Sequence, residues 1–508
     1  MNPNTRIIVN TSVQYVKAII NILLSLYATR IILHELNIGD YGIYSVVAGV
    51  VGALGYLTNA LVVTTQRYLS FHQGAHNTEK VRETFFSSVF IHAALSLLFF
   101  TILLWAEDLI IDKFLIIPSS RICATHHVYL ATIIMLIATI IVSPFKAMLI
   151  SHENIIYISV VEIADAFLKL GIALTLIFVN TDKLVFYAYS MTSVIVINLC
   201  AFMVYVFYKY EESHIKDIRH TISFQSISQL ISFAGWTFYG MIAGVCQTQG
   251  TSVLFNRFFG TAANAAYGLA TQVNGAVRFV STSILNAMNP QIMKAEGNND
   301  RNRMLSLAAK ESKYSTAMMT IISIPVIIEM PSILVFWLKE VPEHTALLCR
   351  AQMLAFLFDQ LTLGLHTANQ ATGKIRTFSI MTFTPKIAYL LFAWLILRYT
   401  HSIEIVMVFF ISIEIIVAIS RIPYLHYSTG LDMSMYISKV FLPLLPLCIT
   451  SFFVSWTITK YVDIPFRFIT TLLVSGACSI GVLARFTLSD SERNYIVNLI
   501  KARRKHDN

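Results

Sequence analysis

Apolar positions in this chain do not alternate with polar ones; they run in long blocks separated by short polar loops. Fourteen such blocks lie at 7–33, 41–66, 84–105, 122–146, 155–179, 183–208, 227–255, 262–290, 312–337, 347–370, 376–398, 403–427, 436–460 and 466–486. About 20 apolar residues in a helix cross the roughly 30 Å hydrocarbon layer, and a helix satisfies its own backbone hydrogen bonds there. The expected fold is therefore an all-α integral membrane bundle of 14 transmembrane helices. The seventh and eighth spans are the most dilute, interrupted by Gln247, Gln249 and several glycines. An even number of spans places both termini on one side.

Composition agrees: 56% of residues are hydrophobic and 13% charged, against about 25% charged in soluble domains. The formal charge of +9 is mainly a topology signal. With the termini inside, 23 Lys and Arg fall on the terminal side of the bundle and 10 on the other. Positive charge near helix ends stays cytoplasmic, so both termini are expected in the cytoplasm and no nucleic-acid role follows. The tail cluster Lys501, Arg503, Arg504 and Lys505 suits anionic headgroups of membrane lipids. The first span carries Asn10, Gln14 and Lys17 and precedes no small-residue cleavage site, unlike a signal peptide. Six scattered cysteines form no CxxC motif or metal-ligand spacing, and no cofactor or metal is expected. The longest exported loop, 106–121, has about 16 residues and no catalytic constellation. A membrane glycosyltransferase or polymerase needs more than that, and a phosphate-binding Gly-rich loop is missing too. The chain is read as a transporter, not an enzyme.

Residues 36–74 and 258–297 match when slid by 223: Tyr44 meets Tyr267, Gly52 meets Gly275, and Gly74 meets Gly297. The turn Lys146–Asn154 faces Thr367–Ile375 at the similar offset of 221. Six spans per repeat makes the halves parallel, a transporter device in which substrate sits between two lobes. The expected organisation is a six-helix lobe at 1–226, a second at 227–430, and two additional spans with a basic tail at 431–508.

Nine charges lie within the spans: Lys17, Glu162, Asp165, Lys169, Arg278, Glu329, Asp359, Lys386 and Glu414. Each costs roughly 2.5–3.5 kcal/mol at a helix centre, so each needs a partner or a wet cavity. Asn10, Gln14, Lys17, Asn21 and Ser25 recur every three or four residues and line one face of the first span. Asn274, Arg278, Thr282 and Asn286 line the eighth. Arg278 has no acid three or four residues away. It is either an anion site, since guanidinium grips phosphate bidentately, or paired across helices with Asp359, Glu329 or Glu414. Lys17 faces the same choice. On the fifth span, Asp165 precedes Lys169 by four, which favours a local pair. Lys386 is the approximate repeat mate of Lys169. Glu329 between Pro325 and Pro331 marks a kink. Glu162, Asp165, Glu329 and Asp359 are the candidates for coupling to protons or sodium ions.

These features resemble the multidrug/oligosaccharidyl-lipid/polysaccharide (MOP) exporter superfamily, and within it the bacterial flippases for O-antigen or capsular repeat units. The resemblance rests on the span count, the repeat and the opening segments Thr29–Leu33, Leu36–Tyr44 and Gln66–Tyr68. It implies two MATE-like lobes in the bacterial inner membrane, with a polyprenyl-diphosphate-linked oligosaccharide as cargo and a polysaccharide polymerase and chain-length machinery as partners. By location, Lys17 and Arg278 match cationic substrate-binding residues, with Asn21, Asn274 and Arg30 beside them. The last two spans match a groove for the lipid tail. A cation-coupled multidrug exporter is the alternative within the superfamily.

Overall fold

The computed structural model describes residues 3–52, 55–114, 117–214, 223–338, 341–490 and 492–493. The tail lysines and arginines beyond residue 500 lie outside them. Among the described residues the chain is helical throughout, without a strand. Among the described residues, nine helices are long and apolar enough to cross a membrane, or eleven when each of two bent pairs counts as one span. Of the remaining expected spans, the second runs across residues 53–54, outside the described residues, and the fifth and eighth fall short. Glu162, Asp165 and Lys169 lower the apolarity of the fifth, and Thr, Asn, Gln and Gly dilute the eighth.

Two compact units form: Met1–Met241 with Asn289–Asp300, and Ile242–Met288 with Arg301–Asn508. In the first, α1 (Pro3–Gly52), α2 (Gly55–Gly74), α3 (Thr78–Trp105), α4 (Ile122–Ser151), α5 (Ile155–Thr175) and α6 (Lys183–Lys209) follow in order. Helix α7 (Phe224–Gly297) begins in this unit, crosses into the second and ends back in the first. The second unit continues with α8 (Arg301–Ile328), α9 (Met330–Leu338), α10 (Thr345–Gln360), α11 (Leu363–Thr372), α12 (Arg376–Thr400) and α13 (Ile403–Thr429). It closes with α14 (Met433–Tyr436), α15 (Leu442–Tyr461) and α16 (Arg467–Val482).

The repeat is written in the backbone. Helix α1 breaks at Asn37 (φ 60°, ψ 162°) and α7 at Gly260 (φ 82°, ψ −170°), the same conformation 223 residues apart. The helix ends repeat at the same spacing. Ala75, His76 and Asn77 donate backbone N–H groups to Phe71, Gln73 and His72, and Asn298, Asn299 and Asp300 donate identically to Lys294, Glu296 and Ala295. His76 and Asn299 both sit at positive φ. Within the first unit, Gly74 packs against the Lys294 backbone and Gly297 against that of Phe71, so closely that a Cβ on either would collide. Lys294 and Gln291 donate to the Glu153 carboxylate at 2.8 and 3.2 Å, tying the end of α7 to the α4–α5 turn. Beside that turn, His152 stacks on Tyr210 at 4.0 Å. Burial, aided by the nearby Lys294 charge, pushes the imidazole down to about 4 and keeps it neutral.

The expected kink at Glu329 is a 74° bend between α8 and α9, and span ten bends by 49° between α10 and α11. Arg350 donates to the Ile327 and Ile328 carbonyls at 2.8 and 3.2 Å, supplying partners to acceptors freed by the bend. The fully buried Glu329 carboxylate accepts from Arg467 at 3.0 Å, Thr459 at 2.8 Å and Thr471 at 2.9 Å. It therefore fastens α15 and α16 to the bend. At the other end of α16, Glu492 accepts from Lys313 at 2.8 Å and Tyr314 at 2.6 Å. Burial would raise this carboxyl, but Lys313 and Tyr314 outweigh it and hold it at about 2.

The region of backbone occupied by Asn37 and Gly260 is essentially reserved for glycine, with a cost of order 1–3 kcal/mol for other residues. Asn37→Gly is therefore expected to stabilise the detergent-solubilised chain by about 1 kcal/mol, and Gly260→Ala to destabilise it by about 1–3 kcal/mol, as read by thermal unfolding. Because Glu492 is held below its ordinary value, its contribution is complete above that value and is lost only as pH falls toward about 2. Amide exchange over 489–493, corrected for intrinsic rate, should match at about pH 7 and about pH 5. It should rise several-fold at both in Glu492→Gln.

Candidate functional site

In the first unit, the polar face of α1 meets α5. Lys17 Nζ donates to Glu162 Oε2 at 2.8 Å, and Lys146 Nζ from α4 donates to Glu162 Oε1 at 3.1 Å. Two ammonium groups thus share one carboxylate. Lys146 also lies 5.2 Å over the Phe202 ring of α6. One turn along α5, Asp165 pairs locally with Lys169 at 2.8 Å, as the spacing predicts, and accepts from Asn198 at 2.6 Å. Asn10 donates to the Glu153 carbonyl at 3.1 Å. Asn21 carries a buried carboxamide oxygen with no hydrogen bond among the described residues. Arg30 is exposed and has no ion-pair partner there. Near the far end of α1, Arg121 is clamped between Asp40 at 2.6 Å and Asp182 at 2.7 Å. Partial burial would raise Asp182, but the hydrogen bonds from Arg121 and the α6 amides prevail and hold it below the usual range.

In the second unit every carboxylate considered for Arg278 is held by another cation. Asp359 pairs with Arg421 at 2.8 Å, Glu414 with Lys386 at 2.8 Å and Gln247 at 3.0 Å, and Glu329 with Arg467. Arg278 is exposed, and its guanidinium lies 4.5 Å over the Phe356 ring of α10. It has no ion pair among the described residues. Thr271 accepts from Gln352 at 3.4 Å, and Ser281 donates to Gln360, fixing the second half of α7 along α10. Asn274, one turn from Arg278, has a buried carboxamide oxygen without a hydrogen bond among the described residues.

A model of the family described as polysaccharide biosynthesis protein matches residues 5–296. The chain belongs to that family. No curated protein matches it. Among solved structures it is similar to a MATE variant, with 12% identity and a TM-score of 0.73 over 86% of this chain and 98% of that one. A MOP superfamily transporter from Pyrococcus furiosus, described as having reverse polarity of its binding pocket, gives 12% identity and a TM-score of 0.71 over 86% and 97%. A variant of the Vibrio cholerae MATE transporter VcmN gives 14% and 0.66 over 85% and 98%. At these identities the likeness establishes the fold: this polysaccharide biosynthesis family member is a multi-pass helical membrane protein with the MATE architecture.

Three cations of the ion-pair network are absent from the charges read within the spans: Lys146, Arg421 and Arg467. Each lies at or near the end of an apolar block, because apolarity stops where charge begins. Yet α4 continues through Lys146 to Ser151, and α13 through Arg421 to Thr429. The repeat offset was the available signal for a polar turn at 146–154. Glu311 of α8 is fully buried and accepts from Thr367 at 3.2 Å. Lys386, the approximate repeat mate of Lys169, keeps its role as a pair member but takes its acid from another helix.

Removing one partner of a buried ion pair strands the other, at about 3–5 kcal/mol. Lys386→Met should therefore lower the unfolding midpoint sharply, and Lys386→Met combined with Glu414→Met should recover most of the loss. Thermal unfolding of the purified chain reads both.

Proposed function

We propose that this protein is a flippase that moves a polyprenyl-diphosphate-linked oligosaccharide, a polysaccharide repeat unit, between leaflets by alternating access. The observation that carries this reading is the leftover charge. Of the five span carboxylates, four have one cation in direct contact and Glu162 has two, while Arg278 has no carboxylate in contact among the described residues. Each unit therefore offers one positive charge in excess of those carboxylates. A diphosphate entering hydrocarbon needs fixed cations to offset its lost hydration, and Arg278 stacked on Phe356 can grip it bidentately.

In this reading the two lobes are 1–226 and 227–430, and 431–508 supplies the spans beside the lipid tail. The termini face the cytoplasm of a bacterial inner membrane, and the cargo passes to a polysaccharide polymerase with its chain-length machinery. Arg30, exposed and unpaired, serves the mouth. Glu162, and Asp165 bonded to Lys169 and Asn198, remain as coupling sites for protons or sodium ions. Glu329 and Asp359, each held by an arginine, are assigned to holding the second lobe together. A cationic drug would need a span carboxylate free of counter-ions, which weighs against multidrug export.

Losing a charge-assisted hydrogen bond costs about 1.5–3 kcal/mol, roughly 10- to 150-fold in occupancy. Arg278→Ala and Lys17→Ala should reduce surface polysaccharide in a flippase-deficient strain by at least about tenfold at unchanged membrane levels of the protein. Arg278→Lys should restore part of it. Full complementation by both alanine variants would remove these residues from the mechanism.

A further inference from the structure

Glu162 stands in an unusual position, because its two counter-ions are the cations that an anionic cargo would use. Lys17 approaches one carboxylate oxygen at 2.8 Å and Lys146 the other at 3.1 Å. Side-chain exposures of 13% for Lys17, 31% for Lys146 and 30% for Glu162 leave the cluster partly exposed. Among the described residues, the helices packed around it bring no other cation into contact. Helix α1 contributes Lys17 and neutral amides, α4 contributes Lys146, and α6 contributes Phe202 and Asn198. On α5 itself, Lys169 is already engaged by Asp165.

We infer that Glu162 is a displaceable counter-ion: a phosphate-bearing anion takes Lys17 and Lys146 from it, and Glu162 takes up a proton from solvent as it lets go. This rests on the flippase reading and adds a linked proton to it. A diphosphate offers several acceptor oxygens and at least two negative charges, and so competes well against a single carboxylate for two ammonium groups. Once those groups are engaged, an ionised Glu162 would be a bare carboxylate within a span, an arrangement that neutralisation relieves. The charge balance agrees. Two ammoniums with one carboxylate carry a net positive charge. Two ammoniums, a dianion and a protonated Glu162 are neutral, whereas keeping Glu162 ionised leaves a net negative site. Binding of anion and proton then favour each other reciprocally. When the anion leaves, the lysines return to Glu162 and the proton goes back to solvent.

The test uses the full-length protein in nanodiscs with farnesyl diphosphate as the probe, titrated calorimetrically in two buffers of different ionisation heat. Wild type should take up about one more proton per probe bound than Glu162→Gln. Glu162→Gln, freed of the competing charge, should bind roughly tenfold tighter. Equal proton uptake, or weaker binding by Glu162→Gln, overturns the inference. Should that variant not accumulate, wild-type affinity carries the test. From about pH 8 to about pH 6 the probe itself loses negative charge, so charge alone predicts weaker binding, and tightening would mark the linked carboxyl. Affinity that weakens over that range overturns it. If wild type binds no prenyl diphosphate, the site reading and this inference fall together; binding without a linked proton removes this inference alone.

Discussion

A charge inside hydrocarbon must be neutralised by its neighbours, and most of this protein's interior organisation answers to that constraint. Carboxylates on α5, α10 and α13, and at the α8–α9 bend, each draw in a lysine or arginine, and those pairs set which helices stand side by side. Pairing is costly in lipid to assemble and more costly to break, so it constrains helix register as firmly as shape does. Apolar packing contributes differently here. Lipid tails are as apolar as leucine, so helix association draws on close fit and interhelical hydrogen bonds. Fit is visible in the first unit, where Tyr129, Ile133, Ile140 and Leu184 are buried among neighbouring helices. It is tightest where Gly74 and Gly297 let two backbones touch.

The same constraint explains what is left over. Structural pairing consumes cations one for one with acids, so any positive charge beyond that balance is free for another anion. Arg278 and the lysine pair on Glu162 are the surplus, one in each unit. Their residual partners are soft: an aromatic face for Arg278, and a carboxylate already shared for the lysines. In the proposed reading that surplus meets the phosphates that a lipid-linked saccharide carries beside its lipid.

The terminal helices illustrate how a charge can serve architecture instead. Glu329 sits where two prolines break a span, a place that looks suited to an ion. The four side-chain hydrogen bonds it receives from Arg467, Thr459 and Thr471 turn it into the rivet that holds α15 and α16 against the bend. Arg350 completes the repair by bonding the carbonyls that the bend exposes.

Several features were legible because they are local. Apolar block length marks the helices, prolines flanking Glu329 mark the bend, and a four-residue spacing marks the Asp165–Lys169 pair. The 223-residue repeat was faint in side chains yet returns as matched backbone breaks at Asn37 and Gly260 and matched helix ends at His76 and Asn299, since backbone geometry outlasts residue identity. Partner choice was not legible. Lys17 finds its acid 145 residues away and Gln247 finds Glu414 across 167, and apolarity summed along one helix carries no information about the face of another. For the same reason Lys146 and Arg421 read as span ends when they are interior cations. The sequence by itself determined a membrane bundle of repeated helices with charges that must be answered. Only the tertiary structure decided which charges answer one another, because Coulombic pairing depends on distance in space, and so which cations are left without a carboxylate in contact.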